Sequence, residues 1–364
     1  MVRRAVTSVI VLAWCGLIAL AAPGATPDDV RAGERQAGPP ALPPYVAGAA
    51  APPGYRLVWA DEFDGDGLDA ARWNVRENQN YGATLGVDQC YRAANVRVAE
   101  GVLTLQLRRE TVACGGANPD TGDRTYHFTS GGVTTRAIDD DPQRFAFTRG
   151  YVEAAIRLPQ GNAYWGAFWH TGGDGVTAWP DYGEFDTMEQ VGPRPDQVIQ
   201  TVHYRCAGRS SCDTNGDHDH DVRLGRAGTG PALADLPQPY QGATTTRMVR
   251  YGLLWDDESV TWYVDGVPVR SFDGHRVRRY GVDPAGRTVL LHTGRPLPEV
   301  LPSWSRVLAT PHSIELNLAY GGELPRRRGY TGKERPGGYD DGNRTGDVEG
   351  VMQVDYVRVY QSSS

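Results

Sequence analysis

The sequence is short of several things, and each shortage removes a class of protein. Past its first 25 residues there is no apolar run long enough to cross a bilayer as a helix. Acids outnumber Lys and Arg to a formal charge of −7, which leaves no basic surface for nucleic acid. No long stretch keeps a helical period and nothing recurs at a fixed spacing, so helix bundles and repeat arrays drop out. The His-x-x-x-His spacing of a metal-dependent hydrolase is missing. Cysteine is scarce, at five in 364 residues.

Where those cysteines fall matters. Residues 1–25 read as a secretory signal: Arg3 and Arg4 form a basic start, Val6 to Leu20 an apolar run, and Ala21 to Ala25 a small-residue exit. Cys15 follows bulky Trp14 within that run, a poor setting for a lipid anchor, and cleavage is expected between Ala22 and Ala25. The reading is a secreted chain with no membrane contact after cleavage. Four cysteines then remain, and an even number in an oxidising compartment predicts two disulfides. Three connectivities are open. The local one, Cys90–Cys114 with Cys206–Cys212, is the simplest, and free buried thiols are the alternative. Residues 26–53 are Pro, Ala and Gly with few large apolar groups, so they read as a linker that cannot offset its ordering entropy. One large domain is expected over 54–361, with hydrophobic residues enough for a core.

Within that domain the signals are strands and turns. Val102–Leu107 sets three leucines on one face, and Tyr151–Leu158 alternates Val152, Ala154, Ile156 and Leu158 against Tyr151, Glu153 and Arg157. Val260–Val264, Asp265-Gly266 and Val267–Val269 make a hairpin with a strong turn signal. Ile314–Ala319 and Val351–Tyr360 are further strands. Many short strands with Gly and Pro turns predict an all-β sandwich or barrel.

The stretch Trp179-Pro180-Asp181-Tyr182-Gly183-Glu184-Phe185-Asp186-Thr187-Met188-Glu189 carries the chemistry. It reads as a strand with three carboxylates in six residues. Glu184 and Asp186 leave one face, whereas Glu189, five on from Glu184, belongs on the other. A one-residue β-bulge at Thr187-Met188 brings it back. Glu184 and Glu189 are then roughly 13 Å apart between Cα atoms, at about 3.3 Å per residue. Two glutamate arms leaning together close that to roughly 5–6 Å, the separation of a retaining glycosidase. Like charges so crowded are costly on a plain solvated strand. Carboxylate catalysis is the leading reading, with a metal-binding acidic cluster beside it.

Gly183–Glu189 resembles the Glu-x-Asp-x-x-Glu signature of glycoside hydrolase family 16, in its bulged, laminarinase-like form. Further matching landmarks are Leu57–Phe63, Asn95–Leu105, Ser130–Arg136, Gly150–Pro159, Trp165–Trp169, Thr201–Tyr204, Asn317–Gly322 and Val354–Tyr360. The resemblance implies a concanavalin A-like β-jelly-roll sandwich of two antiparallel sheets with a concave sugar-binding cleft. It implies a retaining endo-β-glycosidase that needs no cofactor for catalysis and acts, as a monomer, on a polysaccharide. β-1,3-Glucan is the first candidate, ahead of β-galactan and mixed-linkage glucan. Glu184 would be the nucleophile, Glu189 the general acid/base, Asp186 the group that holds Glu184, and His203 a support near the acid/base. Transglycosylation is an alternative, as is a lectin-like sandwich without turnover, although all three acids are retained. Gly166, His170-Thr171, Phe185, Thr187 and Gln190 depart from the commonest laminarinase wording. They are expected near the cleft, where they would bear on substrate.

Trp165, Trp169 and Trp179 are candidate sugar platforms, at least one being expected in the core instead. Arg136 and Asn317 could bond sugar hydroxyls, or else serve a salt bridge or a turn. The resemblance also implies a structural calcium at Glu62, Asp355 and the Gly101 carbonyl, a thin oxygen set without water. Asp213–Asp221 is a second acidic stretch without the glutamate of an EF-hand loop, and reads as solvated.

Overall fold

Apolar alternation sorts the strands onto two layers, as in Val102–Gln106, where Leu103 and Leu105 are buried and their neighbours are partly exposed. The computed structural model describes residues 53–79, 86–115, 125–159, 161, 163–173, 179–192, 197–214, 222–223, 247–283, 287–327, 334–335, 338–339 and 350–363. All of these belong to the unit Gln36–Ser364. The second unit, Met1–Arg35, holds the expected signal segment and lies outside the described residues, as do linker residues 26–52 and 215–221 of the second acidic stretch. Strands account for 59% of the structure and helices for 5%, which makes it all-β. No described helix is long and apolar enough to cross a membrane.

The sheet that carries the acids contains, in chain order, β1 (Asn74–Val75), β2 (Gly132–Thr134), β3 (Tyr164–Gly172), β4 (Glu184–Val191), β5 (Gln197–Cys206), β6 (Arg209–Asp213) and β7 (His312–Tyr320). Their spatial order is β6-β5-β4-β3-β7-β2-β1, with Val222–Arg223 appended to β5. The facing sheet has ten strands, among them Gly150–Arg157, Val249–Trp255, Val260–Val264, Val267–Phe272 and Val351–Ser362. Pairing within both sheets is antiparallel, and the two layers form the jelly-roll sandwich. The Asp265-Gly266 hairpin turn has φ of 49° and 81°, both positive as a type I′ turn requires. The local disulfides are the ones formed, Cys90–Cys114 and Cys206–Cys212.

One face of β4 fills the space between the layers. Phe185 and Met188 are fully buried there with Phe168, Trp255, Trp262 and Val354. The register explains how Met188 comes to share that face. Across β3, Trp169 opposes Asp186 and Phe168 opposes Met188, which leaves Thr187 surplus. Across β5, Thr201 opposes Asp186 and Ile199 opposes Glu189, so Gln200 alone stands against Thr187 and Met188. The bulge therefore sits where the acid spacing demands it. Met188 is core, not filler. Met188→Ala is expected to cost about 2–5 kcal/mol, as buried Met truncations do, and urea unfolding with Tm measurement checks this.

Candidate functional site

Gly183 starts β4 with φ +78°, and a Cβ there would come within 2.5 Å of Val307, so the approach to the acids is built for glycine. From that point alternation and bulge together turn Glu184, Asp186 and Glu189 to the face opposite the core. Glu184 pairs with His203 across β4–β5. The His203 Nε2 lies 3.2 Å from Asp186 Oδ2 and 3.8 Å from Glu184 Oε1. Two indoles hold the glutamates from either end. Trp179 Nε1 donates to Glu184 Oε2 at 3.2 Å, and Trp165 Nε1 donates to Glu189 Oε1 at 2.9 Å.

One of the three tryptophans, Trp169, is buried, as expected. None belongs to the apolar cluster between the sheets. Trp179 is 47% exposed beside His203, with ring centroids 5.8 Å apart, and Trp165 is half-buried. Trp169 is buried, but on the cleft side: its Nε1 donates to Asn317 Oδ1 at 2.8 Å, and Asn317 Nδ2 donates to the Tyr91 hydroxyl at 3.0 Å. Asn317 is thus half of a bonded pair, not a lone sugar contact. Arg136 reaches the end of β3, where its Nη2 would lie 3.4 Å from a Cβ on Gly173.

Residues absent from the sequence reading complete this floor. Arg76 Nη2 donates to Glu315 Oε2 at 2.7 Å, with both side chains buried, and Glu315 stands opposite Trp169 in the β3–β7 register. Alternation with Asn317 along β7 could have placed Glu315. Nothing local points to Arg76, 239 residues away. Burial lifts the neighbouring Tyr91 hydroxyl to about 12.

Of the departures from laminarinase wording, Thr171 stands opposite Glu184 in the β3–β4 register, and the others do not line the cleft as expected. A Cβ on Gly166 would meet Leu158 at 2.4 Å, so this position faces the interior. His170 is fully buried against Phe147 and Phe168, and Phe185, Thr187 and Gln190 are buried as well. Strand alternation puts Gly166, His170, Phe185 and Gln190 on the core side, and the surplus Thr187 lies against His170 there.

Electrostatically the acids are under pressure. Burial and then the charge of Asp186 push Glu184 up to about 8, with His203 pulling the other way. Burial and then Asp213 push Asp186 up to about 8. The pair thus holds a proton near neutrality that the unfolded chain has released. Glu184, Asp186 and His203 also bring three ligand atoms within 4.8 Å of one another, a set that could hold a cation.

At the expected calcium position, the carboxylate of Glu62 accepts from Arg358 Nε and Nη2, each at 2.7 Å. The Gly101 turn lies beside Asp64, since a Cβ on Gly101 would be 3.8 Å from Asp64 Oδ1. This donor set suits calcium only if Glu62 leaves its arginine.

The model of the family described as "Glycosyl hydrolases family 16" matches residues 85–290. A glucan endo-1,3-beta-glucosidase of Cryptopygus antarcticus is 34% identical over 213 residues, 57% of this chain and 66% of that protein. Glucan endo-1,3-beta-glucosidase A1 of Niallia circulans is 26% identical over 321 residues, 85% of this chain. The chain spans only 38% of the latter's length, and less than two thirds of the former's. Among solved structures, the endo-beta-1,3-glucanase from Pyrococcus furiosus superposes with a TM-score of 0.58 at 25% identity, covering 85% of this chain and 95% of that one.

The raised pair contributes to the pH dependence of stability. A carboxyl raised on folding binds its proton more tightly in the folded state, so stability is greatest below the unfolded value near 4.5 and is lost as pH climbs to about 8. Burial lowers the pKa of His170 and His312, which adds stability as pH rises to about 6.5, so the fall in wild-type Tm due to the pair is read between pH 6.5 and pH 8. Asp186→Asn removes one acid and the repulsion on the other, so its Tm should fall less over the same range. Equal slopes in a pair of melting series would contradict the raised pair.

Proposed function

Because the chain belongs to glycoside hydrolase family 16, we propose that it is a secreted, monomeric endo-β-glucan hydrolase acting with retention, with β-1,3-glucan as first substrate. The observation that carries this reading is the bulged strand with its three acids on one face, two of them held by indoles. The names of the relatives, both glucan endo-1,3-beta-glucosidases, support the linkage.

The chemistry follows from which oxygens are engaged. An indole N–H can only donate, so the Glu189 oxygen facing Trp165 serves as acceptor and the acid proton belongs on Oε2. That proton goes to the glycosidic oxygen as the bond to the anomeric carbon breaks. Glu184 uses the electron pair of its carboxylate to form an ester at the same carbon. Its ionisation is compatible with a raised pair if Asp186 keeps the shared proton and donates toward Glu184. His203 bears on both groups from the third side. In the second half-reaction Glu189, now a carboxylate, takes a proton from water, which attacks the anomeric carbon and expels Glu184. A second sugar hydroxyl in place of water would give transglycosylation.

Product sizing with laminarin, mixed-linkage glucan and agarose as substrates tests the linkage, and an absence of cleavage on all three would favour the lectin-like reading. Glu184→Gln and Glu189→Gln are each expected to cut kcat by about a thousandfold or more with the fold intact. Azide should restore cleavage of an activated glycoside by Glu184→Ala, with inverted product. Near-normal turnover in either glutamine variant would sink the assignment, and loss of wild-type turnover in EDTA would favour the cation reading of Glu184, Asp186 and His203.

Structural calcium at Glu62, Gly101 and Asp355 belongs to the proposal as its separate, testable part. A Tm that rises with added calcium and drops with chelator supports it through mass action on the folded state. A melting curve indifferent to both removes it.

A further inference from the structure

A bulge leaves its extra residue out of the ladder, so some backbone groups of β4 and β5 lose their ordinary strand partners. This stretch is buried, and buried carbonyls need donors. Gln200 Nε2, on the neighbouring strand, donates to the Thr187 carbonyl at 3.5 Å, and further donors come from the opposite sheet. Trp262 Nε1 donates to the carbonyl of Asp186 at 2.8 Å. Arg270 Nη1 donates to the carbonyl of Gln200, the residue standing against the bulge, and Arg270 Nη2 donates to the carbonyl of Thr214 at 2.7 Å. Trp262 and Arg270 are direct cross-strand partners, and the guanidinium lies 5.4 Å from the indole centroid. Both are fully buried. Within the acidic sheet itself, His170 Nε2 and Thr187 Oγ1 are 2.9 Å apart, so the surplus residue is tied down as well.

From this arrangement we propose that Trp262 and Arg270 are positioning residues for the catalytic pair, bracing the two carbonyls that flank the bulge and so fixing Glu189 relative to Glu184. The proposal rests on the glycosidase reading given above. Packing alone is a weak reason for an arginine here, because a buried guanidinium is costly to desolvate and an aliphatic chain would fill the same volume. Charged donors to carbonyls are also the stronger kind. Two residues, Thr187 and Met188, separate Asp186 from Glu189, and Thr187 is outside the pairing with β3. Trp262 grips the first carbonyl of this path, that of Asp186, and Arg270 grips the strand opposite it at Gln200. A displacement of about 1 Å at the acid/base can cost about a hundredfold in rate.

Trp262→Phe keeps the ring and removes the donor; Arg270→Lys keeps a charge, and Arg270→Met keeps the stem alone. On laminarin, Trp262→Phe is expected to lower kcat by about tenfold or more with KM within about twofold, and Arg270→Lys to retain more kcat than Arg270→Met. Amide exchange at Thr187, Met188 and Glu189 should quicken in Trp262→Phe before global unfolding. If Arg270→Met does not fold, Trp262→Phe and Arg270→Lys decide the matter. A Trp262→Phe protein with lowered Tm but unchanged kcat overturns the proposal, because bracing would then be packing only. If the wild type cleaves no glycan, the glycosidase reading fails by that result, and the exchange rates alone decide: unchanged exchange overturns the brace, quickened exchange upholds it.

Discussion

A strand shows a given face only at every second position, so two glutamates five residues apart can share a cleft only if one residue between them is withdrawn from the pairing. The rest of the site depends on that withdrawal at Thr187. It keeps Met188 in the core while Glu189 returns to the cleft. The cost is a stretch of ladder with its register broken, and the second sheet meets it with an indole and a guanidinium. The acid strand is thus held from both sides: Trp165 and Trp179 donate to its carboxylates and Trp262 to the Asp186 carbonyl, while Arg270 holds the neighbouring strand at Gln200.

The same crowding that makes the face reactive makes it electrically uncomfortable. Three acids on one partly buried strand repel, and the response is retention of a proton by the Glu184–Asp186 pair with His203 alongside. Further along the floor the tension is absent, because Glu315 is matched by Arg76 and Asn317 is bonded to both Trp169 and Tyr91. The floor therefore crowds its acids at β4 and pairs its polar side chains with one another at β7.

Local grammar was legible in the sequence. Spacing of the acids required a bulge at Thr187-Met188, the Asp-Gly pair required the hairpin turn, and short cysteine separations favoured the disulfides that form. Long-range partnership was not. Arg76 and Glu315 meet from 239 residues apart, and Trp262 meets Asp186 from 76. No periodicity encodes such distances. Face assignment also failed where the reading used nearness in sequence as nearness to the cleft: Gly166 and His170 adjoin cleft residues but point inward. Glu62 shows a related limit, since the arginine that claims it lies almost 300 residues on.

The central place of the late strands bears on how the chain is made. β7 joins β3 to β2, and Val351–Ser362 joins Gly150–Arg157 to Val102–Gln106 in the other layer. A nascent chain that has reached residue 300 already holds Glu184, Asp186, Glu189 and His203, yet both sheets lack a middle strand. Each gap leaves an open inner edge on either side, a template for another chain. Strands near the carboxyl end thus close the interior of both sheets, and a chain without them would carry the acids on a sheet still split at its middle.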